Sequence, residues 1–282
     1  MGLTEINSQN FINAIDLLNR LADHDIDISN WHKTMSNLMT YANKKNTSPG
    51  YLLKMNGKFI FILLTIEYTR DFEGKKLNFV NLSSLYVEKE YQYLAGVLLN
   101  EIISKYDGYT ITDTTANDDS LKIFKKLGFI QKSEGSMLKF PNLISLNTKS
   151  INKLSFSKSK NYPEYVADHV EMGCLVYEIN DEKKGKCTFI LKRIKPLKQV
   201  NIKCAAFLIH CSDHHIFCEN ISKIMTKLMF NGIFILSIPN RSEYSDIGYV
   251  LKRETKQRIS ILGNINNTHI DWLYSELAMY EY

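Results

Sequence analysis

Two carboxylates and a run of backbone donors in the first half of this chain carry the chemistry worth following. Glu67 and Asp113 each fall near the end of an apolar segment, and a carboxylate so placed can take up a proton as a general base. Gln92-Tyr93-Leu94-Ala95-Gly96-Val97 leads into a helix with small residues at its middle. A helix entry offers free N–H groups and the positive end of the dipole to an anion. Asn117 to Phe129 reads N-D-D-S-L-K-I-F-K-K-L-G-F. Asn117 is a natural N-cap with Asp118 and Asp119 in the first turn, Leu121, Phe124 and Leu127 share a buried face, and Gly128 supplies the exit. A further cluster, His210, Cys211, His214, His215 and Cys218, holds imidazoles and thiols that can ligate zinc. Its spacings match no common structural zinc pattern, and His210 and Cys211 point to opposite faces of a strand. A strand end with buried cysteines is the simpler reading, so no metal is expected.

These groups need elements to hold them. Phe11, Ile12, Ile15, Leu18, Leu21 and Ala22 recur at helical spacing, and a second helix runs through Trp31, Met35, Leu38, Met39 and Ala42. Asn56-Gly57 between the apolar runs 51–55 and 58–68 predicts a hairpin, with a third strand over 77–87. Leu94, Leu98, Ile102 and Tyr106 fall four apart and predict a helix. Asp107-Gly108 then turns the chain into a short strand ending at Asp113, which completes a βαβ unit. This layout puts Glu67 on the second hairpin strand and Asp113 at the end of the strand before Asn117.

Asn117, Ser120, Phe124, Gly128 and Phe129 lie at the spacing N-x-x-A-x-x-x-Y-x-x-x-G-F, which resembles the late motif of the GCN5-related N-acetyltransferases. The order of two helices, a hairpin, a long strand, a helix, a strand and a helix is similar to theirs over residues 1–140. The resemblance implies an α/β fold of α+β character, an acyl-CoA N-acyltransferase-like mixed sheet flanked by helices. It implies acetyl-CoA or another acyl-CoA as co-substrate, and direct transfer of the acyl group to an amine with no covalent enzyme intermediate. In that family the turn after the long strand holds the cofactor pyrophosphate, usually through R/Q-x-x-G-x-G/A. By resemblance the cofactor would run along Leu85, Tyr86 and Val87, then Gln92, Tyr93, Leu94, Ala95, Gly96 and Val97, and against Asn117, Ser120 and Phe124.

Gln92 and Ala95 fit the pattern, Gly96 is displaced by one, and Val97 stands where a small residue is usual. Phe124 replaces a tyrosine whose hydroxyl often protonates the departing thiolate in the family. An attacking amine must also lose a proton, and Glu67 and Asp113 are the carboxylates placed for that. The departures at Val97 and Phe124 leave a second reading open, a catalytically inactive binding or regulatory module of the same architecture.

Residues 141–160 shift to Asn, Ser, Thr and Lys, which suits a linker at 146–160 between domains at 1–145 and 161–282. Beyond it, a helix opens at Tyr162-Pro163-Glu164, strands cover 175–179, 187–194 and 200–210, a helix carries Phe217, Ile221, Ile224, Met225 and Leu228, and another strand covers 233–238. Asp271 to Tyr282 reads as a last strand or hairpin. Val87 to Gly108 spans 21 positions and His210 to Gly232 spans 22, so two similar domains in tandem are expected. The second copy is degenerate: Cys211-Ser212-Asp213-His214-His215 has no glycine before its helix and puts Asp213 where a phosphate would sit. It would shape the acceptor pocket or stabilise the first copy by packing.

With 44% hydrophobic and 11% aromatic residues over 282 positions, the chain is globular and not disordered. Its 35 basic and 30 acidic residues are mixed along the chain and leave a net charge of +5 without a basic block. Neither nucleic acid nor a membrane surface is expected as a partner, and the expected acceptor is a small-molecule amine whose identity the sequence does not specify. The N-terminus has no apolar core suited to a signal peptide, and the apolar run 59–64 is far short of the ~20 residues that cross a bilayer. All five cysteines follow residue 170 in an odd number, so reduced thiols and a cytoplasmic location are expected.

Overall fold

Alternating apolar residues and turn chemistry build an antiparallel meander in the first half of the chain. The computed structural model describes residues 2–22, 28–72, 74–141, 150–153, 162–181, 184–195, 204–248, 251–263 and 270–280. β1 (Leu3–Glu5) is followed by α1 (Phe11–Leu21), α2 (Ile28–Lys45), β2 (Gly50–Met55), β3 (Lys58–Phe72) and β4 (Lys75–Val87). The four strands pair antiparallel in chain order. Asn56 and Gly57 take φ of 48° and 80°, the two positive values that a type I′ hairpin turn demands. α1 and α2 pack on β3 and bury Ala14, Leu17, Leu18, Trp31, Met35 and Leu38.

A 3-10 turn over Lys89–Leu94 then leads into α3 (Ala95–Ile103), and β5 (Thr110–Asp113) returns parallel to β4 before α4 (Asp118–Lys126) and β6 (Ile130–Lys139). A parallel return needs such a crossover. Phe61, Leu63, Val80 and Leu82 of the sheet close a core with Leu98, Leu99 and Ile102 of α3 and with Phe124 and Phe129 around α4.

The second half contains β7 (Ile151–Lys153), α5 (Glu164–Glu171), β8 (Leu175–Asp181), β9 (Gly185–Ile194), β10 (Ala205–Cys211), α6 (His214–Glu219), α7 (Ile221–Phe230) and β11 (Ile235–Pro239). β7 to β10 form a second antiparallel meander, and β11 returns parallel to β10 after the helices. The halves share a finer feature. Ser83 to Tyr86 on β4 faces Leu64 to Ile62 on β3 with one residue too many, and Leu208 to His210 on β10 faces Leu191 to Ile190 in the same way. Each meander therefore carries a β-bulge in the strand before its crossover.

Two compact units result, and they are not consecutive in sequence. Met1–Lys132 packs with Gln257–Ile270 and Tyr274–Tyr282, and Ser133–Lys256 packs with Asp271–Leu273. The reason is strand pairing. β12 (Leu251–Leu262) places Ser260, Ile261 and Leu262 antiparallel to Asp113, Thr112 and Ile111 of β5, while β6 pairs with β11 through Ser136 to Lys139. Most of the linker proposed for 146–160 lies outside the described residues, although Ile151–Lys153 is strand.

Three expectations need correction. The helix read through Phe217 and Leu228 is divided at Asn220, which ends α6 and precedes α7. The strand read from Val200 begins at Ala205, with 200–203 outside the described residues. The tail is neither a strand nor a hairpin: Tyr274, with φ of 55°, turns the chain into a short α8 (Glu276–Met279). The Tyr274 ring stacks on Tyr68 at 4.5 Å, and Tyr68 on Phe79 at 5.0 Å. That stack fixes the turn. Among the described residues no helix is long and apolar enough to cross a membrane.

Candidate active site

The pairing of β4 with β5 stops at Leu82 and Asp113, yet β4 continues along β3 as far as Val87. Beyond Leu82 no strand lies beside β4 on that flank among the described residues. Ser84, the extra residue of the bulge, has φ of 50°, a left-handed conformation that costs a non-glycine residue about 1–3 kcal/mol. A cavity of about 150 Å3 opens where the strands part. Ser84, Leu85 and Tyr86 line one side, Asp113, Thr115, Ala116, Asn117 and Ser120 another, and Glu276 and Tyr280 arrive from the tail.

Two buried carboxylates meet at this cavity. Asp113 is 6% exposed and Glu276 1%. Glu276 accepts hydrogen bonds from the hydroxyls of Thr114 and Thr115, each at 2.6 Å, and from Asn81 Nδ2 at 3.2 Å. Asp113 Oδ1 accepts the Thr115 N–H at 2.9 Å. Burial first, and then the charge of Glu276, push the Asp113 carboxyl well above the usual carboxylate range. No cationic side chain lines the cavity among the described residues. A neighbouring like charge and burial both favour the neutral acid, so Asp113 is the carboxyl poised to hold a proton. Tyr280 completes the group, its hydroxyl hydrogen-bonded to the hydroxyls of Ser83 and, at 2.9 Å, Ser84. Its ring meets Trp31 edge-on at 5.8 Å.

The structure sorts the residues singled out from the sequence. Leu85, Tyr86, Asn117 and Ser120 line the cavity with Asp113. Asn117 is the cap of α4, its Oδ1 accepting the N–H groups of Asp119 at 3.1 Å and Ser120 at 2.8 Å. Val87 ends β4 opposite Phe61. Gln92, Tyr93 and Leu94 do not form a direct helix entry. They belong to the 3-10 turn, and the Ala95 N–H bonds to the Gln92 carbonyl.

Tyr93 and Val97 point outward at 73% and 66% exposure. A Cβ on Gly96 would meet only Ile123 Cγ2, at 3.8 Å. Phe124 is fully buried against Phe129, ring centroids 4.7 Å apart, and does not line the cavity. Glu67 also lies off the cavity: its Oε1 accepts the Tyr106 hydroxyl at 3.2 Å, and its pKa is raised by burial above all, against the lowering effect of that bond.

Sequence reasoning missed Ser84, Thr114, Thr115, Glu276 and Tyr280. One signal was present. Glu276 is the lone acid in the apolar run Trp272 to Met279, and an acid buried there needs partners.

In the second unit Asp213 caps α6 by accepting the Ile216 N–H at 2.9 Å, which gives that acid a local role. His210 Nδ1 lies 2.6 Å from Asp271 Oδ2. Cys187 and Cys211 place their sulfurs 3.6 Å apart, and all five cysteines are free. Among the described residues no three His, Cys, Asp or Glu side chains are arranged to hold a metal ion.

No protein-family model and no curated protein matches this sequence. Solved structures do. A GCN5-related N-acetyltransferase from Kribbella flavida superposes with a TM-score of 0.62 at 9% identity, over 92% of this chain and 70% of that one. One from Anabaena variabilis gives 0.59 at 10% identity, over 92% and 72%. The N-myristoyltransferase of Saccharomyces cerevisiae with bound myristoyl-CoA gives 0.52 at 12% identity, over 97% and 83%. At such identities the likeness is one of fold. The chain has the fold of the GCN5-related N-acetyltransferase superfamily over nearly its whole length.

Proposed function

We propose that this protein is an acyl-CoA-dependent N-acyltransferase whose acceptor is a small-molecule amine. The observation that carries the reading is the parting of β4 from β5 at Leu82 and Asp113, with a bulge on one strand and a buried carboxylate pair at the fork. Acetyl-CoA or a longer acyl-CoA would lie along the open flank of β4, its amides meeting backbone as an added strand would, past Leu85 and Tyr86 and against Asn117 and Ser120. Gly96 leaves room beside α4 for the nucleotide end.

In the reaction the amine nitrogen attacks the thioester carbonyl carbon, a C–N bond forms and the C–S bond breaks. The surplus proton on nitrogen passes to the Asp113–Glu276 pair. The sulfur leaves as thiolate and takes the Tyr280 hydroxyl proton, the role that Phe124 cannot fill. Tyr280 is reprotonated from solvent, and the carboxylate pair gives up the proton it took from nitrogen to solvent, which restores both groups. A cytoplasmic setting belongs to the proposal, since it supplies acyl-CoA and keeps Cys187 and Cys211 reduced.

The second reading, a module that binds acyl-CoA without transfer, has its own observation: the Ala95 N–H is already bonded to Gln92 and so is not offered to a phosphate. Calorimetry with acetyl-CoA and longer acyl-CoAs, followed by thiol release in the presence of an amine panel, separates the two. The proposal expects binding and amine-dependent thiol release. Binding without release favours the module, and no binding at millimolar ligand removes both.

A further inference from the structure

We propose that the fork of the second unit is a recognition cleft for a short acidic–aromatic–aliphatic segment, and that the chain fills it with its own residues Asp271–Leu273. The inference holds whether or not the first fork takes acyl-CoA. The two meanders part in the same way. β4 leaves β5 after Leu82 and its bulge starts at Ser83, while β10 leaves β11 after Phe207 and its bulge starts at Leu208. In the first unit a cavity opens beside the bulge. In the second unit a piece of the tail lies there: the Trp272 N–H donates at 3.1 Å to the carbonyl of Ile209, the extra residue of the bulge.

The segment is held by all three of its residues. Asp271 uses both carboxylate oxygens: Oδ2 accepts the His210 Nδ1–H at 2.6 Å, and Oδ1 accepts the Leu273 N–H at 3.1 Å. The second bond closes a local turn of the Asx kind, so the same acid shapes the segment and fastens it. The Tyr165 ring meets the His210 ring edge-on at 5.2 Å, and His210 Nε2 is enclosed with no hydrogen-bond partner among the described residues. Asp271 is therefore the group that His210 is set to receive. Trp272 is fully buried with its ring edge-on to Phe207 at 5.4 Å, and Leu273 is buried beside it in the chain. Main-chain bonds supply affinity and side-chain pockets supply selectivity in peptide recognition, and a buried Trp is the usual anchor. On β10 a bulge carbonyl, an imidazole and an aromatic edge match a backbone N–H, an acid and an indole. A tethered segment meets its cleft at an effective concentration in the roughly millimolar range, which keeps outside ligands from the second fork.

The test supplies the segment in trans to the full chain, as a fluorescently labelled synthetic peptide of residues 268–275 followed by anisotropy. The parent, whose cleft is filled, should not bind it at about 0.3 mM. Trp272→Ala should speed hydrogen exchange over 271–273 by about tenfold or more, and this variant should bind the peptide with a Kd of about 0.3 mM or tighter. A peptide with Ala in place of Asp271 and Trp272 should bind it at least about tenfold more weakly. Adding His210→Ala to the variant should cost about fivefold or more in affinity. If Trp272→Ala does not fold, Asp271→Ala, which removes less of the core, is measured in the same way with the same expectations. The inference is overturned if the segment stays protected in the variant, if the released cleft ignores the peptide, or if the parent or the Ala-substituted peptide binds equally well. Failure of the acyltransferase reading looks different: thiol release from acyl-CoA is missing while the peptide results stand.

Discussion

At the scale of single residues, two buried groups, Asp113 and His169, titrate in opposite senses, which lets each be tested separately. Burial and the Glu276 charge raise Asp113 well above the usual carboxylate range, so the folded protein keeps a proton there that the unfolded chain releases. Stability from this group is complete below the unfolded value of about 3.9 and is lost as pH rises through the folded pKa. Asp113→Asn should therefore melt higher than the parent at pH 8 but not at pH 4, by roughly 2–4 °C for each kcal/mol relieved. The same variant should lose about 10²-fold or more in transfer rate. A thermal shift identical at both pH values would mean that Asp113 is not the proton-holding group.

His169 in the second unit behaves the other way. Complete burial lowers its pKa to about 4, although its Nδ1 bonds to the Tyr165 carbonyl at 2.7 Å. The folded state resists protonation, so stability present above the unfolded value of about 6.5 drains away as pH falls toward 4, by up to about 3 kcal/mol. His169→Gln should flatten this acid limb in denaturant titrations, and an unchanged limb would assign acid sensitivity elsewhere.

Elements were legible where local chemistry dictates them. Asn56-Gly57 has one good use between apolar runs, and the hairpin is there. Asn117, two acids and Gly128 define α4 at both ends, and Gly128 has φ of 86°. The bulge at Ser84 left no mark, because Ser83-Ser84 lacks the glycine or asparagine that normally announces positive φ. The 3-10 turn at Lys89–Leu94 was likewise hidden, since its composition suits an α-helix equally well.

The bulge borders the cavity, the 3-10 turn leads into α3, and both regions can be probed. Ser84→Val forces a β-branched side chain into left-handed backbone and should destabilise the protein by about 2 kcal/mol in urea titrations. A loss below about 0.5 kcal/mol would mean that the bulge relaxes without it. At the start of α3, only Ile123 stands near an added Cβ on Gly96, so Gly96→Trp should leave the melting temperature nearly unchanged. It should weaken acyl-CoA binding by about tenfold or more, and unchanged affinity would move the nucleotide away from α3.

For the molecule as a whole, what sequence reasoning could not reach was set by distance along the chain. Thr114 and Glu276 share a hydrogen bond across 162 positions, and neither periodicity nor turn chemistry reports on such pairs. Strand pairing over the same range decides what can stand alone. Within the first unit, β5 has its outer neighbour in Ser260 to Leu262. Ile259, Ile261, Tyr274, Met279 and Tyr280 are buried there as well.

A fragment ending at residue 145 keeps the resemblance motif, the bulge and Asp113, and loses all five of those side chains. At about 1.5–3 kcal/mol for each large buried apolar group, the deficit matches or exceeds the 5–15 kcal/mol by which domains are stable. It also exposes the polar groups of the β5 edge, which invites association. Such a fragment should show no cooperative thermal transition and should self-associate on a sizing column, whereas the full chain melts cooperatively. A monomeric 1–145 fragment with a sharp transition would show that the first meander needs nothing from the far end of the chain to fold, and that the pairing of β5 with Ser260 to Leu262 is dispensable for stability.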